Sequence, residues 1–253
     1  MRFTPQLRAL EWLVAKPIAH RGLHDEKRGV VENSESAFAH AVKHGFSMEC
    51  DLQLTADGKA VVFHDDDVDR VLDGKGKIKS FTAKEIQKLK FRQGKDRVQT
   101  LQDLLDQLDG RETLVIEIKS LWDNDMTLTR HVIDVLTHYD GPFAIMSFDE
   151  NIIACAAALS PNMVRGITAD RVTDPYYNIL PVERRIAMQN MQHLPRSKPH
   201  FVSYYFRDLP YAPVGEIARN GFPIITWTIR NEEQARAALR YSDQITFENY
   251  SPA

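Results

Sequence analysis

The sequence predicts a (β/α)8 barrel of the TIM type, built as a single domain over residues 1–253. Three observations carry that reading. Short apolar runs alternate with amphipathic helical stretches along the chain, eight parallel runs remain once one returning strand is set aside, and 253 residues is an ordinary length for eight such units. An open eight-stranded sheet satisfies the same count.

The apolar runs lie at residues 17–21, 46–55, 60–64, 114–119, 143–148, 164–168, 201–205, 224–229 and 245–247. Between the first two, residues 34–44 place Ala37, Phe38, Ala41 and Val42 on one helical face, with Asn33 as the expected N-cap and Gly45 as the stop. Thr82-x-x-Glu85 and Thr100-x-x-Asp103 read as capping boxes, the second leading into Leu101, Leu104, Leu105 and Leu108. Further helices are expected near 150–159, 181–192, 214–220 and 232–241.

One pair of runs breaks the alternation. Only Ala56-Asp57-Gly58-Lys59 separates the second run from the third, too few residues for a parallel crossover, so the two must be antiparallel. Asp57-Gly58 predicts a two-residue type I′ turn. That register sets His64 opposite Asp51 and Val62 opposite Gln53. The hairpin is then an excursion from the top of the second barrel strand, followed by a small insertion at about residues 65–100.

Period-two alternation puts Glu49, Asp51 and His64 on one face and Met48, Cys50 and Leu52 on the other. Two carboxylates so placed on a buried strand cost several kcal/mol each unless a positive group compensates, so a divalent cation is expected. The run 114–119 repeats the pattern, with Val115, Glu117 and Lys119 opposite Leu114, Ile116 and Ile118, and the first run ends in His20-Arg21-Gly22. In a barrel these strand ends share one mouth. Hard oxygen ligands suit one Mg2+ or Ca2+ rather than Zn2+. Such a centre, flanked by Arg21 and Lys119, attracts an anion. A phosphodiester fits, because two imidazoles can exchange protons with its attacking and leaving oxygens.

Composition narrows the field. With 32 Lys and Arg against 35 Asp and Glu, the net charge of −3 offers no basic footprint for nucleic acid. Cys50 and Cys155 form no Cys-x-x-Cys pair, which points to a reducing, cytoplasmic setting. No window supports stable membrane insertion, and residues 1–16 fit a signal peptide poorly because Glu11 interrupts the apolar part. Leu7, Leu10, Leu13 and Val14 recur at helical spacing, as in a helix that covers the end of a core. No sequence feature specifies an oligomer.

The ordered set His20-Arg21-Gly22, Glu32-Asn33-Ser34, Glu49-x-Asp51, Leu54-Thr55-x-Asp57-Gly58, Val61-Val62-Phe63-His64-Asp65 and Glu117-x-Lys119 resembles the glycerophosphodiester phosphodiesterases. Ser147-Phe148-Asp149 and Thr226-Trp227-Thr228 are similar to late motifs of that family. The resemblance implies a barrel, one divalent cation held by Glu49, Asp51 and Glu117, proton transfer by His20 and His64, and phosphate contacts from Arg21 and Lys119. The implied reaction is hydrolysis of glycerophosphodiesters to glycerol 3-phosphate and an alcohol, by water or by the neighbouring glycerol hydroxyl. Ser34 replaces the family's usual threonine, and the last strand ends Thr246-Phe247-Glu248-Asn249 where the family usually shows an aspartate after the threonine.

Other expectations follow from single residues. Trp227 is expected to wall the pocket and touch substrate. Glu32 and Asn33 are either helix-cap residues or site residues, and Asp65 to Asp67 form a solvated loop in which Asp65 can orient a histidine. His24, His40, His44, His131, His138, His193 and His200 carry no motif and are expected on the surface or in packing. Three other activities compete: a lysophospholipase D-type lipid phosphodiesterase using the same site, a glycosidase built on Glu49 and Glu117, and a binding module without turnover.

Overall fold

A computed structural model describes residues 10–252 of the chain. Its strands are β1 Ile18–Ala19, β2 Ser47–Leu54, β3 Ala60–Val62, β4 Leu114–Ile118, β5 Phe143–Ser147, β6 Arg165–Ala169, β7 Phe201–Tyr205, β8 Ile224–Ile229 and β9 Gln244–Phe247. All are parallel except β3. β1 pairs with both β2 and β9, so the sheet closes into an eight-stranded barrel with β3 hung from the upper half of β2. Closure decides between the two sheet forms that the strand count allowed.

Around the barrel lie α1 Glu11–Val14, α2 Glu35–His44, α3 Ala83–Ile86, α4 Leu101–Leu108, α5 Thr127–Leu136, α6 Glu150–Leu159, α7 Val182–Gln189, α8 Leu194–Ser197, α9 Ala212–Arg219 and α10 Glu232–Ala238. Both expected capping boxes form, at Thr82/Glu85 and Thr100/Asp103. The N-cap of α2 is Ser34, whose hydroxyl accepts from Ala37 N, and not Asn33. Asn33 takes a left-handed conformation at φ 55° instead and turns its amide to Asp51. No helix among the described residues is long and apolar enough to cross a membrane.

The alternation along each strand sorts the core into layers. Met48, Cys50 and Leu52 of β2 and Leu114, Ile116 and Ile118 of β4 face the helices, while Val115, Ala144, Phe201 and Ile225 fill the barrel floor with Ile18. Leu10 and Leu13 of the N-terminal segment pack into that floor, so this helix closes the core as its spacing suggested; Leu7 lies outside the described residues. Gly166 leaves room for the Phe201 ring, which a Cβ there would meet at 2.3 Å. An apolar floor below leaves the upper barrel free for polar side chains.

The hairpin differs from the expected type I′ turn by one residue. Leu52 pairs with Val62, Gln53 with Val61 and Leu54 with Ala60. Asp57 is not left-handed; Gly58 alone is, at φ 73°, and Thr55 N bonds to Lys59 O across a three-residue loop. The Thr55 and Asp57 side chains explain the choice: the Thr55 hydroxyl donates to Asp57 at 2.6 Å, and Asp57 also accepts from Ala83 N at 2.9 Å. A one-residue slip swaps the faces of β3, so Val61 and Phe63 turn to the insertion, where they pack with Val68, Leu72, Ile78, Ile86 and Phe91 in a satellite core. His64 lies beyond the last paired residue and reaches the barrel mouth by leaving the strand path.

Gly22 shows how tightly the first turn is held. At φ 76°, with a Cβ there meeting Ala37 at 2.9 Å, it seats the His20-Arg21 turn against α2, and its N–H donates to Glu49 O. Gly22→Ala is expected to destabilise the fold by about 2–3 kcal/mol, combining left-handed strain with backbone contact, whereas Gly58→Ala, with open space around it, costs about 1 kcal/mol. Denaturant unfolding measures both, and equal losses would contradict the packing argument.

Candidate active site

Register brings the acids together. Asp51 of β2 and Glu117 of β4 are direct neighbours across the sheet, and Glu49 lies one dyad below Asp51 on the same inward face. Ligand oxygens of Glu49, Asp51 and Glu117 all lie within 4.8 Å of one another, and this is the group of metal-capable side chains found among the described residues. Glu49 and Asp51 are each only 1% exposed.

Charges around the three acids are unevenly matched. Lys119 Nζ donates to Glu117 at 2.6 Å and stands 2.7 Å from Asp51, which also accepts from Asn33 Nδ2 at 2.9 Å and has Arg21 Nε at 3.3 Å. Burial pushes the Asp51 carboxyl up, but Lys119, His64 and Arg21 outweigh it and hold the group well below the usual carboxylate range. Among the described residues the Glu49 carboxylate receives one hydrogen bond, from Arg21 N at 2.9 Å. Burial, then repulsion from Asp51 and Glu117, push it well above its ordinary value. The cluster therefore has more negative charge than its own lysine and arginine neutralise. Three hard oxygen donors, one carboxylate short of compensation, fit a divalent cation. Arg21 Nε, buried and ion-paired to Asp51 at 3.3 Å, makes no hydrogen bond among the described residues, a donor suited to an anion's oxygen.

Two histidines flank the acids, and each is held in the same way. His20 Nδ1 donates to Glu248 at 2.6 Å, and Glu248 in turn accepts from Arg230 Nε at 2.8 Å. His64 Nδ1 donates to Asp65 at 2.7 Å, and Asp65 accepts from Arg70 Nε at 2.6 Å. Burial opposes ionisation of Glu248, yet the hydrogen bond from His20 brings its pKa down to about 2; Asp65 is likewise held below the usual range by His64 and Arg70. Ionised partners accept only, so Nδ1 of each imidazole carries a proton and Nε2 is left to react. His20 Nε2 points toward the acids, 4.0 Å from Glu49. Burial lowers the His20 pKa despite Glu248 and keeps the ring neutral.

Glu32 ties the two halves together, accepting from Arg21 Nη1 at 2.9 Å and from both Arg70 terminal nitrogens. His20, Arg21, Glu49, Asp51, His64, Glu117, Lys119 and Trp227 all line one cavity of about 470 Å³. The Trp227 indole donates to Ser203 O at 3.2 Å and packs edge-on against Phe148. Every residue expected at the site from sequence is thus at one mouth. Sequence reasoning missed Glu248, Arg70, Arg230 and His24, which the structure adds to the mouth or its rim. Barrel closure could have found Glu248: β9 pairs with β1 so that Phe247 meets Ala19, which levels the next residue with His20.

Comparison with known proteins gives the chain's family. Residues 20–244 match the Glycerophosphoryl diester phosphodiesterase family. YhdW of Bacillus subtilis (strain 168) is 30% identical over 228 residues, 86% of this chain and 87% of its own. A glycerophosphodiester phosphodiesterase of Caldanaerobacter subterraneus subsp. tengcongensis is 28% identical over 234 residues, 88% and 89% of the two chains. Among solved structures, a phosphodiesterase of Oleispira antarctica in complex with the product sn-glycerol-3-phosphate shares the fold at a TM-score of 0.76 and 21% identity, covering 94% of this chain and 95% of that one. The chain belongs to the glycerophosphoryl diester phosphodiesterase family and is a phosphoric diester hydrolase.

Proposed function

We propose that the chain hydrolyses glycerophosphodiesters to sn-glycerol 3-phosphate and an alcohol, with one divalent cation, Mg2+ or Ca2+, held by Glu49, Asp51 and Glu117. The observation that carries this is the pair of imidazoles, each with Nδ1 fixed by an arginine-anchored carboxylate, on either side of three acids that repel one another. The relatives' names support the substrate class. A cation bound there would polarise the phosphoryl oxygens and offset their charge.

The remaining work falls to the chain's own groups. Arg21 and Lys119 orient the phosphate through N–H donors at the edge of the acid cluster. His20, buried and neutral, accepts the proton of the attacking oxygen at Nε2, and Glu248 steadies the resulting imidazolium. His64, 32% exposed on its side chain, gives a proton to the departing alcohol from the side facing the insertion. Trp227 forms a wall that holds the organic part of the substrate. The barrel and its insertion act as one catalytic unit. The free thiols of Cys50 and Cys155 fit a reducing, cytoplasmic setting. The relatives' names favour glycerophosphodiesters over lysolipids as the substrate class.

Release of sn-glycerol 3-phosphate from glycerophosphocholine and glycerophosphoethanolamine, lost with chelator and restored by Mg2+ or Ca2+, is the expected result; hydrolysis indifferent to chelator would overturn the metal assignment. His20→Ala and His64→Ala are each expected to lower kcat by at least about a hundredfold. Either variant retaining activity within a few fold removes that histidine from proton transfer.

Metal binding also links to pH. Because the folded-state pKa of Glu49 is raised, the stability that its protonated form contributes is full below about pH 4.5 and is lost as pH rises through the raised value. A cation replaces that loss only when the carboxylate is ionised. The rise in Tm on adding saturating Mg2+ is therefore expected to be several degrees at pH 8 and much smaller at pH 5, about 2–4 °C per kcal/mol of binding stabilisation. An equal rise at both pH values contradicts the role given to Glu49.

A further inference from the structure

His24 was expected on the surface or in packing, but it lines the catalytic cavity with only 7% of its side chain exposed. It follows the first strand's His20-Arg21-Gly22 turn, and its backbone N–H is taken by Gly22 O at 3.0 Å. The ring has no such partner. Among the described residues neither Nδ1 nor Nε2 finds a hydrogen-bond partner, and both are buried. Its nearest carboxylate, Glu248, stands 3.9 Å from Nε2, with one oxygen already taken by His20 and the other by Arg230.

Buried polar atoms in folded proteins are almost always satisfied, and a cavity wall where two are not is a place for a ligand to satisfy them. The ring's chemistry narrows the class of ligand. Burial lowers the His24 pKa against the pull of Glu248 and Glu32, so the imidazole is neutral and offers one donor and one acceptor. A phosphate dianion supplies acceptors alone, and an ammonium supplies donors alone. An alcohol hydroxyl is both. Glu26 and Asn249, which line the same cavity, add further polar groups, and Arg230 is taken up by Glu248.

We propose that His24 binds the hydroxyls of the glycerol moiety, as a substrate-positioning residue separate from the two proton-transfer histidines. This rests on the glycerophosphodiester reading above. His24 thereby fixes which end of the diester lies toward Glu248 and His20, leaving the departing alcohol to the side of His64 and the insertion.

Calorimetry on the full chain with saturating Mg2+ tests it, using sn-glycerol 3-phosphate and ethyl phosphate, which shares the phosphate monoester but lacks the hydroxyls. His24→Leu is expected to weaken sn-glycerol 3-phosphate about tenfold, the scale of one or two neutral hydrogen bonds, while ethyl phosphate changes less than about twofold. His24→Asn, which keeps a donor and an acceptor, is expected to recover part of the loss. In turnover of glycerophosphocholine the leucine variant should raise KM by more than it lowers kcat. Equal weakening of both ligands, or no weakening of either, overturns the assignment. A wild-type chain that hydrolyses no glycerophosphodiester overturns the reading beneath it instead, so the two failures are distinguishable.

Discussion

Mutual repulsion of three buried carboxylates is the constraint on which the site depends. Glu49, Asp51 and Glu117 sit on adjacent strands whose pairing fixes their separation, and the barrel's apolar floor denies them water from below. Side chains can relieve only part of this. Lys119 and Arg21 hold Asp51 ionised, while Glu49 is left with one backbone donor and a raised pKa. A fold that places charge so unfavourably gains nothing in stability from it, and the arrangement makes sense as an affinity for a cation.

Around that centre the same device appears twice. An arginine holds a carboxylate, the carboxylate holds Nδ1 of a histidine, and Nε2 is left to act: Arg230, Glu248 and His20 on one side, Arg70, Asp65 and His64 on the other. Glu32 joins Arg70 to Arg21, so the groups proposed for proton transfer and for phosphate binding share one network. The first set comes from the closing strands of the barrel, the second from the hairpin and insertion. The placement of His64 and Asp65 therefore depends on the insertion's satellite core as well as on the barrel.

Much of this was legible in the sequence because strand alternation is a strict period. The inward set Glu49, Asp51 and Glu117 and the outward set Met48, Cys50 and Leu52 follow from parity alone. Turn chemistry was less readable: Asp57-Gly58 suggested a two-residue turn, and side-chain bonds from Thr55 and to Ala83 selected a three-residue one. His64 still arrives at the mouth, because the ladder ends before it. Asn33 looked like a cap, but that bond belongs to Ser34, and Asn33 braces Asp51 through a contact eighteen positions away that no local pattern encodes. The helix Thr127–Leu136 was absent from the sequence reading, although Leu128, Val132 and Leu136 carry its buried stripe at four-residue spacing. Glu248 and His24 needed barrel closure, which only the pairing of β1 with β9 supplies.

The central claim is that one cation binds where these three carboxylates meet. Anomalous diffraction from crystals grown with Mn2+ in place of Mg2+ tests it most directly. The account predicts one strong peak at coordination distance, about 2–2.6 Å, from oxygens of Glu49, Asp51 and Glu117, and its loss in Glu49→Gln. A strong peak elsewhere with none among these three side chains would contradict it.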